Sequence, residues 1–148
     1  MYLYATENWN GSNAYHKRGT DLIGVVIVAH GGLAKEYLAA VEHVVGKQEG
    51  IIAISIAAEC DRSAKQVEIC NAADSVDTGD GVIVVVDMFG GSPANLSMMA
   101  CSPKKRKILY GANLPMLVKL AKSRTSTVEQ AIETSMAAGK KYMNSCNC

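Results

Sequence analysis

Residues 22–32 have the sequence LIGVVIVAHGG, a nearly unbroken apolar run that ends at a histidine and two glycines. Apolar and β-branched residues without alternation are typical of a strand that is buried on both faces. Such strands occur almost only in parallel sheets that are covered by helices on both sides. We therefore predict that this segment is a central strand of an α/β fold.

The rest of the chain alternates short apolar runs with longer amphipathic runs, which is the pattern of repeated strand–helix–strand units. Further strands are predicted at residues 50–56, 82–86 and 108–110, and helices at residues 33–45, 61–76 and 128–138 and from residues 92 and 113 onward. Asp61 or Ser63 and Ser92 are predicted to cap the start of helices. Gly46 and Gly139 are predicted to end two of them. This order predicts an open, mainly parallel central sheet with helices on both faces.

The length of the chain suits a single domain. A fold of 148 residues buries enough surface to be stable without a disulfide or a metal ion. Residues 1–21 are polar and aromatic and stand outside the strand and helix pattern, so we expect them to form an appended arm. Residues 22–142 are expected to form the domain, and residues 143–148 a C-terminal tail.

The charge balance excludes some classes of function. Fifteen Lys and Arg residues against fourteen Asp and Glu residues give a net charge of +1, which argues against nucleic acid or an anionic membrane as the partner. No apolar run approaches the roughly 20 residues that a membrane span requires. The first residues lack the apolar core of a signal peptide. We therefore expect a cytoplasmic protein without direct membrane insertion.

The cysteines and the basic run are interpreted without a catalytic role. The five cysteines form an odd set without a Cys-x-x-Cys pair, so we expect free thiols and no metal site. The basic run at residues 104–107 is expected to be a solvated cluster that protects the edge of the sheet.

Polar residues follow the predicted strands at the sheet edge where ligands bind in open parallel α/β folds. His30 and Gly31 follow the first strand, and Asp87 follows the third. If these two strands are neighbours, His30 and Asp87 face each other. A carboxylate that holds one imidazole nitrogen leaves the other nitrogen free as a nucleophile.

Glycines and a helix start surround this pair. Gly31, Gly90 and Gly91 allow the backbone to come close to a bulky group, and the helix that begins at Ser92 offers free N–H groups to an anion. Each residue also has a purely structural explanation. The role of Asp87 could be limited to stabilising a turn, and that of Ser92 to capping a helix. Together they predict a histidine that takes up a phosphoryl group.

A serine hydrolase is the alternative that the same residue types raise. His30, Asp87 and Ser92 could form a catalytic triad, but the residue after the serine is Pro93, which has no N–H to serve as an oxyanion donor. Phosphate-binding loops and dinucleotide-binding motifs are missing as well. These absences disfavour hydrolase, P-loop and dinucleotide functions.

Three segments, GVVIVAHG at 24–31, VDMFGGSPAN at 86–95 and GANLPML at 111–117, closely resemble the enzyme IIA domain of the mannose family of the bacterial phosphoenolpyruvate-dependent sugar phosphotransferase system. The resemblance extends from about Leu22 to Tyr142. It implies that the carrier protein HPr phosphorylates His30 on Nε2, that Asp87 holds Nδ1, and that the group then passes to a IIB domain. It also implies that Ser92 and nearby helix-start amides contact the phosphoryl oxygens. No cofactor is implied.

The resemblance carries expectations about assembly as well. Members of the family look like homodimers with an antiparallel edge strand that is exchanged across the interface. Because the predicted domain is followed only by a short tail, we expect a stand-alone IIA protein. The alternative is a regulatory IIA protein whose phosphorylation state signals to protein partners without sugar transport.

Overall fold

The computed structural model describes residues 21–102 and 105–147. The strands are β1 (Gly24–His30), β2 (Ile51–Ile56), β3 (Val82–Val86) and β4 (Arg106–Tyr110). The helices are α1 (Leu33–Val45), α2 (Arg62–Val76), α3 (Ser92–Ser97), α4 (Leu114–Lys122) and α5 (Val128–Lys141), and a short 3-10 helix follows α3 at Met98–Cys101. Except for Asp21, the predicted arm lies outside the described residues, as does Cys148 of the predicted tail.

The sheet has the order β2-β1-β3-β4, and every neighbouring pair is parallel. Strand β1 is central, with Val26 opposite Ile52 on one side and Val84 on the other. The predicted α/β class and the parallel sheet are confirmed. Among the described residues no strand is antiparallel, so the exchanged strand stays a prediction.

Side chains of β1 alternate between two cores, one on each face of the sheet. Val25 and Ile27 pack with residues of α1, α4 and α5, whereas Val26 and Val28 pack with residues of α2 and α3. All four valine and isoleucine side chains are at most 2% exposed. Burial on both faces explains why the strand lacks polar residues, and helices cover both faces as predicted.

The predicted helix starts and ends agree with the structure at two positions. Asp61 caps α2, where its Oδ1 accepts a hydrogen bond of 3.0 Å from the N–H of Ala64. Gly46 follows α1 with a φ of +85°, a conformation that favours glycine.

The prediction that Gly139 ends the last helix is wrong, because α5 continues through it to Lys141. A Cβ atom at position 139 would lie 3.1 Å from the Cβ of Met116 on α4. The carbonyl of Gly139 also accepts a hydrogen bond of 3.0 Å from Asn113 Nδ2 at the start of α4. The glycine therefore serves the close packing of the two helices.

The basic run was predicted to be solvated, and at Arg106 that prediction is wrong. Strand β4 begins at this residue, and the guanidinium pairs with Asp74 at 2.8 Å and with Asp77 at 2.9 Å. The Arg106 side chain is only 7% exposed, whereas the flanking Lys105 and Lys107 are exposed. Burial raises the pKa of Asp77, but hydrogen bonds from Arg106 and nearby backbone N–H groups and the charge of Arg106 hold it below its ordinary value.

We expect Arg106→Gln to lower the free energy of unfolding by about 2 kcal/mol at pH 7, because it leaves two carboxylates without their partner. The low folded-state pKa of Asp77 stabilises the fold above about pH 4, and this stabilisation is lost as the pH falls through the folded-state pKa. The difference between the two proteins should therefore shrink in acid. Urea unfolding at pH 7 and pH 3 measures it, with the exposed Lys107→Gln as the control. Equal destabilisation by both substitutions would contradict the structural role of Arg106.

Candidate functional site

The site lies where β1 and β3 end at the same edge of the sheet. His30 is the last residue of β1, and Asp87 directly follows β3, whose last residue Val86 is paired with Val28. The two side chains meet, with 2.7 Å between His30 Nδ1 and Asp87 Oδ2. The proximity that depended on these strands being neighbours is thus observed.

Backbone hydrogen bonds hold the Asp87 carboxylate in place. Its Oδ2 also accepts a hydrogen bond of 3.0 Å from the His30 backbone N–H, and its Oδ1 accepts one of 3.0 Å from Met88 N–H. Burial raises the pKa of Asp87, but these contacts together with the His30 ring hold it below its ordinary value. The carboxylate is ionised at neutral pH and can only accept, so the proton lies on Nδ1 of His30.

The second ring nitrogen of His30 is left available. The His30 side chain is 47% exposed, whereas that of Asp87 is 11% exposed. With the proton held on Nδ1, Nε2 carries the lone pair, which makes it the nucleophilic atom of the site.

Gly91 leaves the space that the His30 ring occupies. A Cβ atom at this position would lie 2.9 Å from Cε1 and 3.4 Å from Nε2 of His30. The backbone of Gly91 has a φ of −82° and a ψ of 174°, which other residues adopt as well. Glycine is therefore needed here for space and not for conformation.

The other two candidate glycines have a different local role. Gly31 and Gly90 have φ values of +56° and +79°, and a Cβ atom on either would meet nothing within 4 Å. The N–H of Gly31 donates a hydrogen bond of 2.8 Å to the carbonyl of Ile56, so this N–H is not free to bind an anion. These glycines shape the turns after β1 and β3, and their contact with a phosphoryl group stays a prediction.

Ser92 does not cap its helix as predicted, since Gly91 is the capping residue and Ser92 is the first residue of α3. Its Oγ accepts a hydrogen bond of 3.4 Å from Nη1 of Arg62. Pro93 has no N–H, and Asn95 N–H donates to Gly91, so an anion at this helix start would meet the amides of Ser92 and Ala94. Within the described residues Ser92 Oγ has no hydrogen bond to His30, so the structure does not assemble the residues of the hydrolase alternative.

Two residues of this region were missed in the sequence, Tyr37 and Arg62. Tyr37 Oη donates a hydrogen bond of 3.0 Å to the carbonyl of Ala112, in the turn after β4. The pKa of Tyr37 is raised, mainly by burial and to a smaller extent by the nearby charge of Asp87. Tyr37 falls within the apolar spacing of the predicted helix at residues 33–45, which indicates a core residue and gives no sign of a polar contact. Arg62 could have been found as a cation in the first turn of a helix, where a positive charge is unfavourable.

Exposed apolar side chains border the site on the side of β3 and β4. Phe89 is 74% exposed and stacks at a tilt on Tyr110, with 5.0 Å between the ring centroids. Met88 is also exposed. We call Met88, Phe89 and Tyr110 the aromatic rim. Contiguous exposed apolar groups of this kind are typical of surfaces that contact other proteins.

Residues 21–102 and 105–147 contain neither a metal-binding cluster nor a membrane-spanning helix. No three His, Cys, Asp or Glu side chains come together in a way that could hold a metal ion. None of the helices there is long and apolar enough to cross a membrane.

Comparison with protein families gives a match over most of the chain. The sequence model of the EIIA-man family, described as the PTS system fructose IIA component, matches residues 24–138. The chain belongs to this family. The match covers β1 to most of α5, including His30, Asp87 and Ser92, and it confirms the resemblance to IIA domains of the mannose family.

Curated relatives of this EIIA-man chain include the PTS system mannose-specific EIIAB component of Escherichia coli (strain K12), which is 28% identical over 123 residues. The alignment covers 80% of this chain, but the chain spans only 38% of the length of that relative.

Solved structures agree with the family assignment. The phosphotransferase system component EIIA from Streptococcus agalactiae superposes with a TM-score of 0.75 at 26% identity, covering 84% of this chain and 97% of the other. The PTS IIA protein associated with the fucose utilization operon from Streptococcus pneumoniae superposes with a TM-score of 0.73 at 25% identity. The superposition covers 83% of this chain and 93% of the other.

We expect Gly91→Ala to displace the His30 ring while the unfolding free energy stays within about 1 kcal/mol of the wild type, because the backbone conformation suits alanine. Nitrogen-15 NMR of the imidazole, recorded at the same pH, should give altered His30 ring signals in the variant. Gly32→Ala is the matched control, since its Cβ atom would meet nothing within 4 Å at a φ of −84°. Unchanged His30 signals in Gly91→Ala would refute the spatial role of Gly91.

Proposed function

We propose that this chain is a phosphocarrier of the sugar phosphotransferase system. His30 accepts a phosphoryl group from phosphorylated HPr and passes it to a IIB domain. The observation that carries the proposal is the 2.7 Å contact between His30 Nδ1 and Asp87 Oδ2 at an exposed ring. Membership of the EIIA-man family supports it.

The geometry suits transfer between two histidines without movement of a proton. The lone pair of His30 Nε2 forms the new N–P bond as the N–P bond of the donor breaks and its electron pair returns to the donor nitrogen. The proton on Nδ1 remains in place, so the phosphorylated ring is cationic and is stabilised by the Asp87 carboxylate. Such a transfer depends on positioning and electrostatic stabilisation more than on covalent chemistry by the protein.

The surroundings of His30 suit a protein as donor and acceptor. The His30 ring stands at the carboxyl ends of the parallel strands, where it is exposed, and the aromatic rim offers apolar contact area beside it. A deep pocket would exclude the phosphohistidine of a carrier protein. We infer that the aromatic rim is covered when HPr or the IIB domain is bound.

The regulatory alternative involves the same chemistry at His30 and differs only in the partner that receives the signal. No observation on the described residues favours it over transport.

The edge of β4 supports the dimer that the family resemblance implies. Among the described strands, β4 pairs only with β3, so its other edge is open. A groove beside it is lined by Ile108, Ile132 and Met136 together with charged residues. We propose that a strand of a second copy occupies this edge. Sedimentation equilibrium should give twice the mass of one chain, and a single-chain mass at micromolar concentration would refute the dimer.

Incubation with phosphoenolpyruvate, enzyme I and HPr should add one acid-labile phosphate to the protein. His30→Ala should abolish this labelling, because no other ring in the described part of the chain has this pairing with a carboxylate. Intact-protein mass spectrometry under mild alkaline conditions measures it. Labelling that survives the substitution would overturn the assignment of His30.

Asp87→Asn should slow the same reaction by at least about ten-fold while the fold is retained, because the neutral amide neither fixes the Nδ1–H tautomer nor stabilises the cationic ring. Glu49→Gln, which removes an exposed carboxylate just before β2, at the opposite end of the parallel strands from His30, is the matched control. Equal rates for Asp87→Asn and the wild type would contradict the orienting role of Asp87.

A further inference from the structure

Arg62 lies beside the site without a role in the proposed function. It is the first residue of α2, directly after the cap Asp61, and its side chain is exposed. Its Nη1 lies 3.4 Å from Ser92 Oγ. Ser92 follows Gly91, where a Cβ atom would lie 2.9 Å from Cε1 and 3.4 Å from Nε2 of His30. Arg62 therefore contacts the residue next to the one that packs against the nucleophilic side of the ring.

No ion pair engages the Arg62 guanidinium within the part of the protein that the structure describes. Arg106 pairs with two carboxylates, and Lys65, one turn further along α2, pairs with Glu68 at 2.6 Å. Among the described residues no carboxylate lies within ion-pair distance of Arg62, and the first turn of α2 contains no acidic residue. A cation in this turn is also repelled by the positive end of the helix dipole.

An unfavourable charge of this kind is expected where function requires it. A phosphoryl group on Nε2 would bring a charge of roughly −1.5 to −2 close to the carboxylate of Asp87. Asp87 stabilises the ring but repels the phosphoryl oxygens. A guanidinium presents donors in a planar fork that matches phosphate oxygens, and it stays protonated at any physiological pH.

We propose that Arg62 binds the phosphoryl oxygens carried on His30 Nε2, together with the hydroxyl of Ser92. This inference rests on the proposed phosphorylation of His30. The hydrogen bond from Arg62 to Ser92 holds the guanidinium ready in the unphosphorylated protein. On phosphorylation the Ser92 hydroxyl turns its proton toward the phosphoryl oxygens, and Arg62 donates to the same group.

Arg62 then stabilises the phosphorylated state itself, which separates this role from the docking of a donor protein. A residue that only helps HPr to dock changes the rate of transfer and leaves the final distribution of phosphate unchanged. A residue that binds the phosphoryl group on His30 changes that distribution. The equilibrium between phosphorylated HPr and phosphorylated His30 is therefore the quantity to measure.

The experiment mixes phosphorylated HPr with an equal amount of the wild type, Arg62→Gln, Arg62→Lys or Lys65→Gln and follows both phosphoproteins by mass spectrometry until the ratio is constant. Arg62→Gln should shift the equilibrium toward phosphorylated HPr by about ten-fold, the value of one hydrogen bond between charged groups. Arg62→Lys, which keeps the positive charge, should shift the equilibrium in the same direction but by a smaller factor. Lys65→Gln, which removes one positive charge from the same helix, should leave the equilibrium unchanged.

The outcomes separate this inference from the proposed function. A wild type that takes up no phosphate from HPr would overturn the proposed function and this inference with it. A phosphorylated wild type whose equilibrium equals that of Arg62→Gln would overturn only the role of Arg62. Equal shifts in Arg62→Gln and Lys65→Gln would also overturn it, because a general charge effect would then replace the contact. Thermal unfolding should show Arg62→Gln to be no less stable than the wild type, since the removed cation lies at the positive end of a helix.

Discussion

The contact between His30 Nδ1 and Asp87 Oδ2 is the interaction on which the chemistry of the site depends. It determines which ring nitrogen keeps a proton and therefore which one can form a bond. The contact exists because β1 and β3 are adjacent parallel strands that end at the same edge of the sheet. Two residues that are 57 positions apart in the sequence are thereby brought to hydrogen-bond distance by the backbone pairing of two buried strands. The stability of the core and the geometry of the site have the same origin.

The backbone adds a second constraint, which is the space around the ring. Gly91 packs against the His30 ring, and the Asp87 carboxylate is itself fixed by the N–H groups of His30 and Met88. The orientation of the imidazole is thus fixed on one side by a hydrogen bond and on another by packing against the backbone of the β3–α3 turn. This fixes the direction of the Nε2 lone pair without burying the ring. An exposed histidine can then be ordered enough for in-line transfer and still be open to another protein.

Strands and helices could be predicted from the sequence where burial determines the residue type. The roles of single residues that depend on a distant ion-pair or packing partner could not. The apolar runs located the strands, and the residues after them located His30 and Asp87. The prediction for Arg106 was wrong, because a basic run does not show that one of its members pairs with a carboxylate of α2 and with that of the residue that caps its end. Gly139 was misjudged for a similar reason, since close packing of α5 on α4 and the end of a helix both favour glycine. Such choices depend on neighbours that are distant in the sequence.

The site also shows how opposite charges are distributed around one ring. A carboxylate next to a phosphoryl group would be unfavourable if both acted on the same atom. Here the carboxylate contacts Nδ1, whereas the contact between the Ser92 hydroxyl and the Arg62 guanidinium lies next to Gly91, which packs against Cε1 and Nε2. An imidazole that is negatively flanked on one side and positively flanked on the other is polarised along the axis through its two nitrogens. In the proposed phosphorylated state, that polarity would lower the free energy of a cationic ring joined to an anionic group, and the side chains come from β1, the β3–α3 turn and the first turns of α2 and α3.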